Sequence, residues 1–559
     1  MPSEQTLLKG WHKKEVKKLY NDVDMKNSLL YVLVAILASI NSVDAQGVAW
    51  GINRDFSEAT SVSGITVWQG QSIFVSGPFS SISADSTGNG GYISCFTREG
   101  VELWSKKFFS TEDPVKILNV VDASGSVVIT GFYDENMFSD DITLTGRGLF
   151  LIKLDANGNI IFSTTEQNAY ARNIAVDADN NIYLVGTFRS DLDSSYSGYP
   201  IENGFLAKYS SEGVLLWAKN FYFPITPGLP FDFVIAEDAS VYAVGPFGST
   251  TFFNDSIQLT TSGGLDAYLA KYSSTGDLQW VKPIATGGNS EIPTALGLLP
   301  SGDIAVCGYI NFGTSPVVTM FDSIPIYKST QDLAEIFIAR YSASGDCIWA
   351  KSAGGNGSDI PFDLTSTSTG IYLNGGVCSN GDSASFDGET FYSSGQKQMF
   401  VSAYEFNGNL RWVRAGNGGQ NFAERIAVDD AEIYAGGTYT GNWTFSGLSF
   451  SGMYEMFLLK IQDDTFTTIG AKPQSEHFLQ VYPNPSHNYF SLVYTTSSSK
   501  DPVQIVIRNV LGQTVYSSLG YPSNGMMKEL IDLSGQSEGM YLIEIVDGGS
   551  RSTSKVLRN

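Results

Sequence analysis

Histidine is almost missing: the 559 residues contain three, His12, His477 and His487. Nothing between His12 and His477 can act as an imidazole base, which removes Ser-His-Asp and Cys-His catalysis from the whole middle of the chain. Cysteine is nearly as scarce. Cys95, Cys307, Cys347 and Cys378 show no CxxC spacing, so neither a zinc ligand set nor a thioredoxin-like pair is indicated. Cys307 and Cys347, which share one repeat, either pair in an oxidising compartment or pack as small buried hydrophobes. Positive charge is outweighed, 34 Lys+Arg against 57 Asp+Glu, and the net −23 repels phosphate backbones and anionic lipid. Nucleic acid is therefore disfavoured as a partner.

The N-terminal region has one long apolar run, Leu29 to Ile40, preceded by Lys26 and followed by Val43-Asp44-Ala45. It is too short to cross a hydrocarbon core of about 30 Å as a helix, and it reads as a secretory signal cleaved after Ala45. A short anchoring helix is the alternative. Residues 1–24, with Lys13, Lys14, Lys17 and Lys18, are either a long basic leader or an extension ahead of a start at Met25, the second being preferred.

What the chain does have is 58 glycines, 13% aromatics and 42% hydrophobic residues, the composition of many short strands separated by turns. Residues 46–463 repeat. A strand ends in glycine seven times, at Gly77, Gly131, Gly186, Gly245, Gly308, Gly375 and Gly437. A second strand with period-two apolar residues (GLFLIKL, DAYLAKY, MFLLKI) accompanies each. A turn glycine followed four positions later by a ring occurs six times: Gly100 and Trp104, Gly158 and Phe162, Gly213 and Trp217, Gly276 and Trp280, Gly345 and Trp349, Gly408 and Trp412. The seventh ring is missing after Ile461, yet Trp50 stands alone ahead of the first unit. If the N-terminal strand completes the last blade, the pattern closes into a seven-bladed β-propeller without a bare edge. Packing between blades accounts for the Trp set, and positive φ for the turn glycines. The run Asp177-Ala178-Asp179-Asn180-Asn181 lacks the glycine and glutamate that complete a calcium loop and reads as a hairpin turn. Calcium is conceivable but not indicated, and no metal or cofactor is assigned. The repeats resemble the SBBP-type β-propeller repeats of exported bacterial proteins, which implies a fold more than an activity.

Residues 464–480 form a Thr/Lys/Pro/Ser linker, and 481–559 return to alternating strands suited to a small Ig-like β-sandwich. Pro483-Asn484-Pro485, Leu511-Gly512-Gln513, Gly539-Met540-Tyr541 and Lys555-Val556 stand in order. This segment resembles the type A sorting domain of the type IX secretion system. The resemblance implies Pro483, Asn484, Pro485, Gly512, Gly539, Tyr541 and Lys555 as motif residues and the type IX machinery as partner. It also implies passage across a Gram-negative outer membrane, with removal of the domain and anchoring on surface polysaccharide or release. His477 and His487 sit beside or within that removable segment and are poor catalytic candidates.

Three functions remain. The first is a monomeric binding or adhesion propeller for a glycan or surface protein, with its ligand over the central channel. Asp113 before Leu118, Glu291 before Leu296 and Asp359 before Leu364 lie five residues ahead of matched apolar positions. They either ring the channel mouth or hydrogen-bond local backbone amides. Phe221, Tyr222 and Phe223 lead an apolar loop that is either exposed for stacking or buried under the blade. The second function is a carboxylate-only polysaccharide-degrading enzyme, glycoside hydrolase or lyase, for which no catalytic residue is assigned. The third is a surface-layer component that only spaces.

Overall fold

The computed structural model describes residues 48–463 and 479–558, apart from short interruptions, the longest being 82–88, 190–201 and 222–231, with 483–488 and 496–501 near the end. The signal segment, Asp113, Tyr222, Phe223 and Pro483 to Pro485 lie outside the described residues. Every regular element among the described residues is a strand, and the chain divides into two compact units, Met1–Asp464 and Thr465–Asn559.

The larger unit is propeller-like. Six antiparallel meanders follow one another in chain order, each starting from its innermost strand. Those strands are Gly64–Trp68, Lys116–Asp122, Ala169–Val176, Asp232–Ile235, Ser290–Leu298 and Ile360–Thr367. A seventh sheet is built from Gln420–Asp429, Glu432–Phe445 and Leu448–Gln462, with Val48–Arg54 from the other end of the chain as its outer strand. Each innermost strand touches the next, and the seventh touches the first. Sheets stacked this way bury their middle strands on both faces, so Val241–Phe247 and Gly370–Val377 are buried throughout. Their outer strands alternate or stay open, as in Ile160–Gln167. The cores lie between sheets: Val244 and Leu269 of the fourth pack with Leu296, Val306 and Phe337 of the fifth.

The two repeating glycines have different physical causes. The innermost strands bulge where Pro361 and Asp363, Pro293 and Ala295, or Ala423 and Arg425 are consecutive partners of the second strand. A bulge pushes the preceding carbonyl into that second strand. A methyl at Gly437 would stand 1.7 Å from the Phe422 carbonyl oxygen, and one at Gly308 would stand 2.3 Å from that of Ile292. The turn glycines combine positive φ with a ring of the preceding sheet. Gly158 has φ +82, and a methyl there would meet Trp104 at 3.0 Å; Gly408 meets Trp349 at 2.9 Å. The indole N–H donates across the same junction, from Trp104 to the Ala156 carbonyl at 2.8 Å and from Trp349 to that of Phe406 at 3.0 Å.

Trp50 makes the same contact between the seventh sheet and the first. It lies under Gly100 at 3.2 Å and donates to the Arg98 carbonyl at 2.8 Å. Arg98 in turn pairs with Asp429 at 2.5 Å and Glu432 at 2.8 Å on the seventh sheet. Trp412 meets Asp463, directly after Leu448–Gln462, where the other rings meet a turn glycine. Its N–H goes instead to the buried carboxylate of Asp463 at 2.8 Å, which Arg411 also pairs at 3.0 Å.

Hairpins between second and third strands reach back to the preceding sheet. Asn136–Phe138 pairs with the outer strand of the first sheet through Phe109 and Phe138. Thr286 bridges Met320, Gly354 bridges Ser385 and Asn417 bridges Thr444 in the same sense at later junctions. The smaller unit has a three-stranded and a four-stranded antiparallel sheet. Phe490, Leu492 and Ile531 of one share a core with Ile505, Ile543 and Ile545 of the other.

Candidate binding site

The bulges insert one extra residue into each of five innermost strands. Following the register, the bulged residues are Leu118, Arg172, Thr294, Phe362 and Glu424, with Ser63 in the corresponding place on the first sheet. A cavity of about 400 Å³ opens there, lined by Arg172, Thr294 and Phe362 and, deeper, by Asp232, Asp363 and Arg425. Arg172 is exposed. Lys397 stands 5.6 Å from the ring centroids of both Phe362 and Phe422, and burial lowers its affinity for a proton.

In four of the sheets the residue after the bulge, Asn173, Asp232, Asp363 or Arg425, ties one innermost strand to the next. Asp232 accepts from the Phe233 N–H on its own strand and from the Leu296 N–H of the following sheet, each at 2.9 Å, and Asn173 of the preceding sheet donates to it as well. Asp363 repeats the device, accepting from Leu364 N–H at 2.9 Å and from Ile426 N–H at 3.0 Å. Arg425 continues it with opposite polarity, donating to the Ser63 carbonyl at 2.7 Å. Burial pushes the Asp232 carboxyl up to about 7 against the pull of those amides. Asp363 is raised for the same reason, with Arg425 opposing. The deep carboxyls are thus committed to holding the ring. The mouth above them presents a free guanidinium, a hydroxyl and an aromatic ring.

The acids singled out from sequence sit elsewhere. Glu291 and Asp359 are fully buried and do not line the cavity. Asp359 accepts from Gly355 N–H at 2.6 Å and Cys378 N–H at 2.7 Å, fixing the glycine-rich turn that leads into its strand. Asn421, at the matching position in the next sheet, accepts from the Met399 N–H of the sixth sheet at 2.8 Å and donates to the Gly418 carbonyl at 2.9 Å. Glu291 accepts from the Thr319 hydroxyl at 3.0 Å, and burial, with Asp266 alongside, pushes it up to about 8. The bulges also correct the sequence register. The counterpart of Leu296 and Leu364 in the second sheet is Val120, two residues beyond Leu118, because the bulge lies between Ile117 and Asn119. The residue five before Val120 is the buried Val115 rather than Asp113. Phe221 closes the outer strand Leu215–Phe221, with its two partners in the proposed aromatic loop outside the described residues.

The sequence reading missed Asn173, Asp232, Asp363 and Arg425. Their signal was present, since each stands immediately before an apolar residue of the matched series. Without knowing where the bulge falls, however, they look like ordinary outward positions. None of the four cysteines is in a disulfide, and Cys307 is buried in its strand beside Thr294. In the Asp177 turn the carboxylate accepts from Asp179 N–H at 3.0 Å and Asn181 N–H at 2.9 Å and pairs with Lys208 at 3.0 Å, an internally satisfied hairpin. Among the described residues there is no cluster of three metal-ligating side chains.

In the smaller unit Gly512 takes φ +77 in a turn whose Asn509 carbonyl and side chain cap the returning N–H groups. Gly539 takes φ +144, Tyr541 donates to the Ser537 carbonyl at 2.5 Å, and Lys555 is exposed opposite Leu542.

The all-β, propeller-like larger unit and its central cavity define the class of architecture. Residues 480–559 match the family described as secretion system C-terminal sorting domain. The chain is therefore addressed to the type IX secretion machinery and carried across the outer membrane, to the cell surface or the exterior of a Gram-negative bacterium. No match was found among curated proteins. Two solved structures are similar at 8% identity. One is titled "Structure of Dos1 propeller" (TM-score 0.37, covering 74% of this chain and 93% of that one). The other is dimeric latent PorU from Porphyromonas gingivalis (TM-score 0.14, 78% and 32%).

Proposed function

We propose that the chain is an exported seven-bladed β-propeller of SBBP-type repeats, closed by its own N-terminal strand and followed by an Ig-like β-sandwich sorting domain. It acts at the cell surface or outside as a binding or adhesion protein, and the central mouth receives its ligand. The observation that carries this reading is the chemistry at the bulge. Two residues along, the seven repeats hold only apolar side chains, Ile65, Val120, Ile174, Phe233, Leu296, Leu364 and Ile426. Of the six described residues at the bulge, Arg172, Thr294 and Phe362 line the opening, whereas Leu118 packs against a core and Glu424 accepts from the Val62 N–H at 3.3 Å and the Thr438 hydroxyl at 3.4 Å. Oxygen-rich ligands suit an arginine, a hydroxyl and an aromatic ring around one opening, and a glycan or an acidic surface segment meets that description.

Catalysis has no place in this reading. A carboxylate-based hydrolase needs one acid free to give a proton and another free to act as base or nucleophile, and Asp232 and Asp363 each accept two backbone N–H groups. The test is an array of glycans, polysaccharides and bacterial surface proteins probed with the full chain and with Arg172→Ala and Phe362→Ala. Saturable binding weakened by both substitutions is expected. Silence across the array would leave the propeller as a spacer.

A further inference from the structure

The central cavity has four charged side chains in its lining, and three of them are spent on the ring itself. Asp232 and Asp363 each accept two backbone N–H groups. Arg425 donates from Nε to the Ser63 carbonyl at 2.7 Å and from Nη1 to the Glu424 carbonyl at 2.8 Å. Arg172 is the exception. Its guanidinium makes no hydrogen bond or ion pair among the described residues, although the chain carries 57 acidic side chains and Arg98, Arg340 and Arg411 each pair with one. Its backbone is nonetheless fixed. Ala171 before it is buried, and Asn173 after it accepts from the Ile174 N–H at 2.7 Å while donating to Asp232.

Two uncharged groups share the opening with Arg172. Phe362, half-buried on the sixth sheet, is held edge-on to Phe422 at 6.4 Å and stands 5.6 Å from Lys397. Thr294 on the fifth sheet reaches only the Cys307 carbonyl and sulfur, each at 3.5 Å, so its hydroxyl is open to a better partner.

We infer that the occupant of the central mouth is an acidic sugar, a pyranose carrying one carboxylate, with that carboxylate on Arg172, its apolar face on Phe362 and a hydroxyl on Thr294. This rests on the mouth being the ligand site and narrows what it takes. A guanidinium without an internal partner receives a carboxylate through two parallel N–H bonds, which a neutral sugar does not offer. One uncommitted cation also matches one anionic group. An acidic protein segment brings several charges, of which one finds Arg172 and the rest face Asp232 and Asp363, whereas a uronate brings one charge together with an apolar face suited to an aromatic ring. The net charge of −23 is no bar, because charges beyond about 8 Å are screened at physiological ionic strength.

Calorimetric titration of the full chain with trisaccharides of galacturonate, glucuronate and mannuronate, with their neutral galactose, glucose and mannose counterparts and with a glutamate-rich peptide, tests this. At least one uronate binds, about tenfold or more tighter than its neutral counterpart. Arg172→Ala, at an exposed position, abolishes that preference, Arg172→Lys keeps the charge without the fork and retains part of it, and Phe362→Ala weakens binding several-fold. A neutral sugar bound as tightly as its uronate, uronate binding that survives Arg172→Ala, or preference for the peptide overturns the acidic-sugar assignment; the mouth stands as the ligand site in those cases if Phe362→Ala weakens the binding observed. Absence of binding by every saccharide also overturns the assignment, and if the array of glycans and surface proteins is silent as well, the reading of the mouth falls with it.

Discussion

Trp50→Ala separates the closing contact from the rest of the ring. The indole is half-buried, under Gly100 on the far side of the junction, and its N–H bonds the Arg98 carbonyl at 2.8 Å. Truncating a fully buried tryptophan costs about 3–5 kcal/mol. Half of that burial together with one lost hydrogen bond of about 1 kcal/mol gives an expected loss of about 2.5–3.5 kcal/mol. In a unit of this size each kcal/mol shifts thermal unfolding by only about 1–2 °C, so scanning calorimetry should report a fall of roughly 3–7 °C. Trp104→Ala, which removes the same contact between the first two sheets, should give a fall of similar size. Tyr327→Ala, at a position 73% exposed, should give none. If Trp104→Ala lowers the transition and Trp50→Ala does not, the first and last sheets are not joined as described.

Asp359→Ala strands two part-buried N–H groups and should cost about 2–4 kcal/mol in denaturant unfolding, whereas Asp359→Asn, which keeps one of the two accepting oxygens, should cost about 1–2. Glu291 has its pKa raised in the folded state, so the native protein holds its proton more tightly than the unfolded chain. Its contribution is fully present below about pH 4.5 and is lost as pH rises toward about 8. Glu291→Gln should therefore flatten the stability profile across that window, and an unchanged slope would refute the assignment. Removing residues 480–559 should leave the chain in the periplasm of export-competent cells, and fractionation with immunoblotting would detect the opposite. Thiol titration of the unfolded protein without reductant should find four free thiols, two fewer if Cys307 and Cys347 pair.

The repeat was readable because its periodic residues answer to packing. Gly158, Trp104 and their kin recur at fixed offsets since each ring must fit beneath the next turn, and the count of six rings with Trp50 left over pointed to the N-terminal strand before any pairing was known. The centre was not readable in the same way. A bulge inserts one residue without leaving a distinctive letter, and it shifts every later position to the other face. Acids such as Asp359 therefore seemed to point toward the channel, while Asp232 and Asp363 passed unnoticed one turn of the pleat away.

Hydrogen–deuterium exchange of the full chain, with and without the ligand that scores highest on the array, addresses the central claim most directly. Protection concentrated in Ala169–Val176, Ile360–Thr367 and Gln420–Asp429, the innermost strands that carry Arg172, Phe362 and Glu424, is the predicted result. Protection confined to outer strands such as Ile160–Gln167, with the innermost strands unchanged, would contradict a binding site at the centre of the ring.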